Sequence, residues 1–432
     1  MPRQRKNAKK RKAGGRKQPT EGSFKDDNPR RPGKLDMSAA AGATPGGSAK
    51  VATPTTVCGV QGRPRKPRDP REFTAEGSGD LDGKSVHGLG TDWAPLDIPW
   101  RRRLQTFAVL VALTLMPITL TLLVTLFFLP SLRPYYTREM VILFLIWTYV
   151  FDGKTPSNGG RPLPWLSGFW LWRFIREYYP ARLVVTEKLD PTRQHMFGLH
   201  PHGIIGAGMV ATLITNGEEA RKALGGRDYR VLTVTFNFLL PLWRDIILGL
   251  RFVSASRASA RAVLEKGLNC MIVVGGAREA LDARPGHVDL TLKCRSGFVR
   301  LALQHGARLV PVFTFGENEL WTQIDNAPGS VLRRFQMLFR KFTGFTLPMF
   351  RGRGIFQYRF GIMPHRRPVH TVVGRAIEVP LIKEPTKEQI KVYQGKYIEA
   401  LEALYNEHRP KYEHPRDHEG KAIASTGFRV VA

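Results

Sequence analysis

Phe197 to Gly208 reads FGLHPHGIIGAG. The apolar residues before His200 have the texture of a buried strand, which breaks at once into His200-Pro201-His202-Gly203. In a parallel α/β sheet, ligands bind at the carboxyl ends of the strands. A histidine delivered there is placed for proton transfer near neutral pH. Two other readings stand beside that one. His-x-His on a strand puts both rings on one face, as a metal pair would, although glycines and no third ligand follow. The pair could also be plain structural histidines. Gly203, Gly206 and Gly208 do not fit GxGxxG, so no dinucleotide is expected.

On either side, apolar runs bounded by Gly, Pro and polar residues predict further buried strands at Met196 to Leu199, Val231 to Thr235, Met271 to Val274, Leu309 to Phe313 and His370 to Val373. Helical stretches such as Ser259 to Leu268 and Ser296 to His305 alternate with them. That alternation predicts an α/β domain with a mostly parallel sheet, and no internal repeat is visible.

Three more blocks carry chemistry. GLRFVSASR (249–257) ends in Arg257, and a guanidinium fork suits phosphate, of which coenzyme A carries several. A helix start capped by Ser256 or Ser259 explains the same residues. IVVGGAREALDARPG (272–286) runs a strand into Gly275 and Gly276, whose free N–H groups could meet an oxyanion. Glu279 there could orient a histidine or contact a substrate hydroxyl, or sit solvated at a helix start. The last block, from Leu292 to Trp321, holds Lys293 and Arg295 in a basic loop, then a helix and a strand through Pro311 ending in Gly316-Glu317-Asn318. It also reads as ordinary core with a basic surface loop.

These blocks, in this order, resemble the type-2 diacylglycerol acyltransferase family, which includes monoacylglycerol and wax-ester acyltransferases. The carrying residues are His200-Pro201-His202-Gly203, Val274-Gly275-Gly276-Ala277-Arg278-Glu279, Arg295-Ser296-Gly297-Phe298, Leu309-Val310-Pro311 and Phe315-Gly316-Glu317-Asn318, with Arg351-Gly352-Arg353-Gly354 resembling a late motif. The likeness covers roughly residues 104 to 415. It implies a glycerolipid-acyltransferase-like α/β domain, acyl-CoA as co-substrate with no other cofactor and no metal, and diacylglycerol as acceptor. It implies His202, assisted by His200, as general base, Gly275 and Gly276 at the oxyanion, and Arg257 and Arg295 on the CoA phosphates. Gly203, Glu317 and Asn318 are expected at the substrate site. The wider acyltransferase superfamily pairs its histidine with an aspartate a few residues on. Here Ile204 and Gly206 stand four past His200 and His202, so Glu279 is the candidate carboxylate.

The chain has 432 residues, a formal net charge of +30 and three cysteines, Cys58, Cys270 and Cys294, with no CxxC spacing. A disulfide scaffold and a cysteine-built zinc site are excluded as readings. The basic residues lack the aromatic interleaving of a single-strand binder, so no nucleic acid is expected. Residues 1 to 98 are poor in Leu, Ile and Phe and read as a disordered basic tail. Leu104 to Leu129 carries no charge, and about 26 residues at roughly 1.5 Å each exceed the roughly 30 Å of hydrocarbon. Arg101 to Arg103 precede it and favour a cytosolic N-terminus. Pro117 should kink it. Met140 to Phe151 is too short to cross alone, so 104 to 151 is expected to be a hydrophobic membrane hairpin. With the family resemblance, this implies an acyltransferase domain (152–415, then a tail, 416–432) held on the cytosolic face of the endoplasmic reticulum, with the lipid-droplet surface as a second expected location. Ser330 to Phe342 is amphipathic and basic, suiting a membrane surface or a packed surface helix. A non-catalytic lipid-droplet coat is the rival of another class, one with no use for HPHG or GGAREA. A homo-oligomer is left open.

Overall fold

The apolar runs form one sheet. The computed structural model describes residues 55–56, 86–88, 91–95, 97–128, 136–343, 346–417 and 420–431. Most of the expected disordered tail (1–98) and most of the link between the two apolar runs lie outside these. We number the strands used below β1 (Thr55–Thr56), β2 (Arg182–Val185), β3 (His195–His200), β4 (Tyr229–Thr233), β5 (Phe252–Ser254), β6 (Asn269–Val273), β7 (Val288–Thr291), β8 (Arg308–Phe315), β9 (His370–Val373) and β10 (Phe428–Val431).

The eight-stranded sheet has the order β1-β2-β9-β8-β3-β6-β4-β5. The pairings β2–β9, β8–β3, β3–β6, β6–β4 and β4–β5 are parallel, and β1–β2 and β8–β9 are antiparallel. The sheet is therefore mixed α/β and mostly parallel, as expected. Every residue of β3 is buried, and apolar clusters cover both faces of the sheet. That explains why β3 reads as a continuous apolar run and not as an alternating one. β10 pairs in parallel with β7, and Arg429 forms a two-pronged ion pair with Asp289 at 2.7 and 3.0 Å. Residues 428–431, expected in a tail, are thus part of the folded body.

The helices used below are α1 (Trp100–Phe128), α2 (Thr137–Ile146), α3 (Trp172–Tyr178), α4 (Ala207–Met209, continued by a π-helical turn, Val210–Ile214), α5 (Trp243–Gly249), α6 (Arg257–Glu265), α7 (Gly276–Glu279), α8 (Gly297–His305), α9 (Val331–Thr343) and α10 (Lys387–Tyr412). α10 opens with a capping box, in which Thr386 and Gln389 each bond the other's main-chain N–H. Its buried side, Ile390, Tyr397, Leu401, Leu404, Tyr405 and His408, follows helical spacing and packs on β8.

α1 is the one helix among the described residues long and apolar enough to cross a membrane. It runs through Pro117, near which the Thr114 and Thr119 hydroxyls donate to the carbonyls of Leu110 and Met116. Its foot is bonded to the domain. Arg101 donates twice to Glu177 on α3, at 3.0 and 2.6 Å, and Arg366 donates to Gln105 and Thr106 at 2.5 and 3.1 Å. Ala108 and Val109 are buried against the same body, and the outer half, from Met116 on, exposes most of its large apolar side chains. α2 contacts α1 and continues as a π-helical turn, Trp147–Phe151. The end of that turn is fixed by Arg244 of α5, fully buried, which donates to the carbonyls of Thr148 (3.0 Å) and Asp152 (2.9 Å) and pairs with the Asp152 carboxylate (2.9 Å).

Candidate active site

β3, β6 and β8 lie side by side and parallel, so their carboxyl ends open on one edge. Leu199 stands opposite Val273, which brings Gly275 off the sheet level with Pro201. Phe313 stands opposite His200, which sends Gly316-Glu317 toward the same edge. HPHG, GGARE and GEN, which begin up to 116 positions apart in the chain, meet there through strand register.

The two histidines take different surroundings. His200 ends β3 with no exposed surface, and its Nε2 lies 2.9 Å from the Tyr397 hydroxyl on α10. That hydroxyl also reaches the Gly198 carbonyl at 3.1 Å. Burial lowers the His200 pKa to about 3, so the ring is neutral at any working pH. His202 is half-buried. Its Nδ1 is 3.0 Å from its neighbour's carbonyl, Gly203 O. A carbonyl only accepts, so Nδ1 carries the proton and Nε2 carries the lone pair. Burial lowers this pKa too, against the Gly203 bond that raises it. Strand geometry stops at His200, so the rings do not share a face and each has its own partner.

Glu279 is buried and reaches the main chain of His202, not its ring. Oε1 accepts the His202 N–H at 2.6 Å, and Oε2 accepts the Thr291 N–H at 3.0 Å. The carboxyl curls so closely over Gly275 that a Cβ there would lie 1.9 Å from Oε2. Burial raises its pKa to about 7, opposed by the two amide donors and Arg295. Glu279, expected to orient a histidine, meets the main chain of His202, while Nδ1 of the imidazole meets Gly203 O.

Glu317 braces the other side. Its oxygens accept the first amides of α4, Ala207 N–H at 3.0 Å and Gly208 N–H at 2.6 Å. A Cβ on Gly203, whose φ is +58°, or on Gly208 would come within 2.5 Å of the Glu317 side chain. Two of the three glycines of HPHGIIGAG, Gly203 and Gly208, are thus room for a carboxylate 114 residues away from the first of them. Burial raises the Glu317 pKa to about 8 against those amide donors. Glu317→Gln offers one acceptor where two are used and turns an NH2 on the other amide. We expect it to cost roughly 1–3 kcal/mol, read as a lower Tm together with lower activity. An unchanged melting curve would show that the two bonds do not hold the loop.

The remaining candidates divide. Arg295 donates from Nη2 to the Gly275 carbonyl at 3.2 Å. Arg340 on α9 is half-buried close to it, and burial followed by repulsion from Arg278, Arg295 and Arg333 lowers its pKa. Arg257 is exposed at the start of α6, capped by Ser256, whose hydroxyl accepts the Ser259 N–H at 3.1 Å. β5, which leads into it, is three strands from β3, about 14 Å along the sheet. Asn318 turns from the edge and donates to the His287 carbonyl at 2.8 Å. Sequence reading did not find Tyr397 or Arg340. Tyr397 is one of many aromatics in an amphipathic stretch, and only the fold sets it against His200.

The family model described as diacylglycerol acyltransferase matches residues 133–421. Diacylglycerol O-acyltransferase 2A of Umbelopsis ramanniana is 43% identical, over 75% of this chain and 91% of that one. 2-acylglycerol O-acyltransferase 1 of Bos taurus is 42% identical, over 76% and 98%. Diacylglycerol O-acyltransferase 2 of Homo sapiens is 39% identical, over 64% and 72%. Among solved structures, the 1-acyl-sn-glycerophosphate acyltransferase of Thermotoga maritima gives a TM-score of 0.31 at 13% identity, covering 70% of this chain and 97% of that one. With its sequence matched over this span and at these identities, the chain belongs to the diacylglycerol acyltransferase family.

Proposed function

We propose that this acyltransferase moves the acyl group of acyl-CoA to the free hydroxyl of diacylglycerol, giving triacylglycerol, with His202 as general base. The observation that carries the reading is the 3.0 Å contact of His202 Nδ1 with Gly203 O, from which the tautomer of that ring follows. Its Nδ1–H is committed to Gly203 O, so the lone pair on Nε2 is available at the edge where three strands deliver their loops. The acceptor hydroxyl oxygen attacks the thioester carbonyl as Nε2 takes its proton. The tetrahedral oxyanion is met by main-chain N–H groups at Gly275 and Gly276. Its collapse breaks the C–S bond, and the thiolate recovers the proton from His202 to leave as CoA. Glu279 and Glu317 keep the loop in place from below. His200 is a positioning residue, since its ring is closed off from the edge.

Arg295 is assigned to the CoA phosphates, joined by Arg278 and Arg340. Their mutual repulsion is a poised site for a polyanion, because a phosphate relieves it. Arg257 is placed to meet only a far part of a long ligand. The reaction uses acyl-CoA as co-substrate and no metal or further cofactor.

The apolar α1 and its contact with α2 support a membrane-held enzyme. Endoplasmic reticulum, with the catalytic domain facing the cytosol where acyl-CoA is available, is the proposed location, with lipid droplets as a second surface.

Relatives carry names of both diacylglycerol and 2-acylglycerol enzymes, so the acceptor is the part to test. Purified enzyme with labelled acyl-CoA and a panel of diacylglycerol, monoacylglycerol and long-chain alcohols should give triacylglycerol as the main product. Arg340→Ala should raise the KM for acyl-CoA roughly tenfold with kcat little changed, the size of one charge-assisted contact. Faster turnover of monoacylglycerol or alcohol than of diacylglycerol would overturn the acceptor assignment.

A further inference from the structure

α9 is amphipathic, yet it is mounted the wrong way round for a helix packed on a protein core. At roughly 100° per residue, Val331, Phe335, Leu338 and Phe342 share one side of it, and Arg333, Gln336 and Arg340 share the opposite side. The polar side faces the protein. Gln336 has no exposed surface, donates to the Leu347 carbonyl at 3.0 Å and accepts from Asn326 at 3.2 Å. Arg333 donates to the Leu281 carbonyl at 3.0 Å and pairs with Asp282 at 2.7 Å. The apolar side faces out, with Val331 84%, Phe335 54%, Leu338 55% and Phe342 79% exposed. Single exposed apolar residues need no explanation, but a whole helix side does.

We infer that α9 is an interfacial helix, whose outer side seats in the acyl-chain boundary of an anionic phospholipid surface. Two further observations select lipid as the occupant. Arg334 and Lys341 fall between the polar and apolar sides, at the level where long basic side chains reach phosphate head groups while the apolar stripe sinks in. The ribbon on either side of the helix in the chain, Thr322–Gln323 paired with Phe350–Arg351, continues through Ile324 N–H bonded to the Met349 carbonyl at 2.8 Å, exposes both of those apolar side chains and runs on to Arg353. Arg353 donates to Thr106 on α1 at 3.3 Å. The patch is thereby joined to the foot of the apolar helix, so a bilayer holding α1 lies within reach of α9. Its inner side carries Arg340 to the basic cluster beside Gly275, so seating the helix would also set that cluster at the membrane surface. The inference does not depend on the acceptor or on the catalytic role of His202.

The test uses the full chain with Cys58→Ser and Cys294→Ser, which leaves the buried Cys270. Leu338→Cys, or as a control Glu378→Cys on the exposed far side, is labelled with an environment-sensitive fluorophore. The protein is reconstituted in phosphatidylcholine vesicles with or without phosphatidylserine, using acyl chains brominated or not. We expect brominated chains to quench the label at 338 roughly twofold and to leave that at 378 unchanged. Adding Arg334→Glu with Lys341→Glu should abolish the gain from phosphatidylserine. An unquenched label at 338, or equal quenching at both positions, overturns the inference. So does self-quenching at 338 that fades as the protein is diluted in lipid, which would assign this face to a second copy of the chain. Activity is not read, so failure here is separate from failure of the catalytic reading.

Discussion

His202→Ala should lower acyl transfer by about a hundredfold or more, the usual share of a general base, without releasing the enzyme from membranes or lowering its Tm appreciably. The ring's one bond is to the carbonyl next to it. What fixes the loop is the main-chain N–H of His202 on Glu279, which alanine retains. His200→Ala is a different experiment. It opens a cavity in the core and takes one of the two partners of the Tyr397 hydroxyl, leaving Gly198 O, so its loss of activity should come with a fall in Tm of the order that large-to-small core changes give. Tyr397→Phe should fall between them and leave His202 chemistry in place. The pH profile is a second readout. Burial depresses the His202 pKa, so the neutral, basic form persists to lower pH than for an ordinary histidine. Wild-type activity should therefore hold as pH falls toward 6.5 and be lost only below it. Near-normal kcat in His202→Ala, or an acid limb above that value, would remove His202 from the role of base.

Which parts of this site could be read in the sequence follows from where each residue's partners lie. β3, β4, β6 and β8 were legible because strands covered on both faces are continuous apolar runs, and each ends at a glycine or polar break. β5 is three residues long, too short to stand out, and sits inside a block whose arginine and serines suit a phosphate reading. β10 lies beyond the long helix, where FRVV has no local sign that it will find β7. The histidines and the two glycines of GGARE were legible because those residue types cluster rarely outside sites. Their roles were less so. Glu317 and Asn318 stand side by side in one motif, yet one braces α4 and the other holds the loop before β7, a difference set by a single turn of the chain. Arg257 and Arg295 look alike in sequence, and only the strand order separates them. Gly203 is expected at the substrate site, yet both it and Gly208 serve to admit a distant carboxylate.

Tags at both ends of the chain should be cut by protease in intact microsomes. The argument starts from length. The outer part of α1, about 15 residues from 114 to 128, spans roughly 22 Å at 1.5 Å per residue, less than the roughly 30 Å of hydrocarbon. The inner part is taken up by the domain, through Ala108, Val109, Gln105 and Arg101. α2 with its π-helical turn, Thr137 to Phe151, is of similar length, and its end is held by Arg244. Both feet of the apolar segment are thus bonded to one body, and a body can lie on only one side of a bilayer. The reading that satisfies length and feet together is a segment that dips and returns, with local thinning where it is too short. The charge of Arg101 to Arg103 favours the cytosol for that side, although Arg101 is also paired with Glu177, and the proposed topology takes it so. The link between the arms should then resist protease until detergent is added, and the C-terminal tag should not. Breaking the second foot sharpens the test. Arg244→Ala leaves the Asp152 carboxylate with Arg161 and the Thr155 hydroxyl and takes the donor from two buried carbonyls, so it should cost about 1–3 kcal/mol, lowering Tm while both tags remain accessible. A C-terminal tag protected in intact microsomes would mean a single crossing. His202 would then face the lumen, away from the cytosolic acyl-CoA, and the proposed reaction would have no donor on its side.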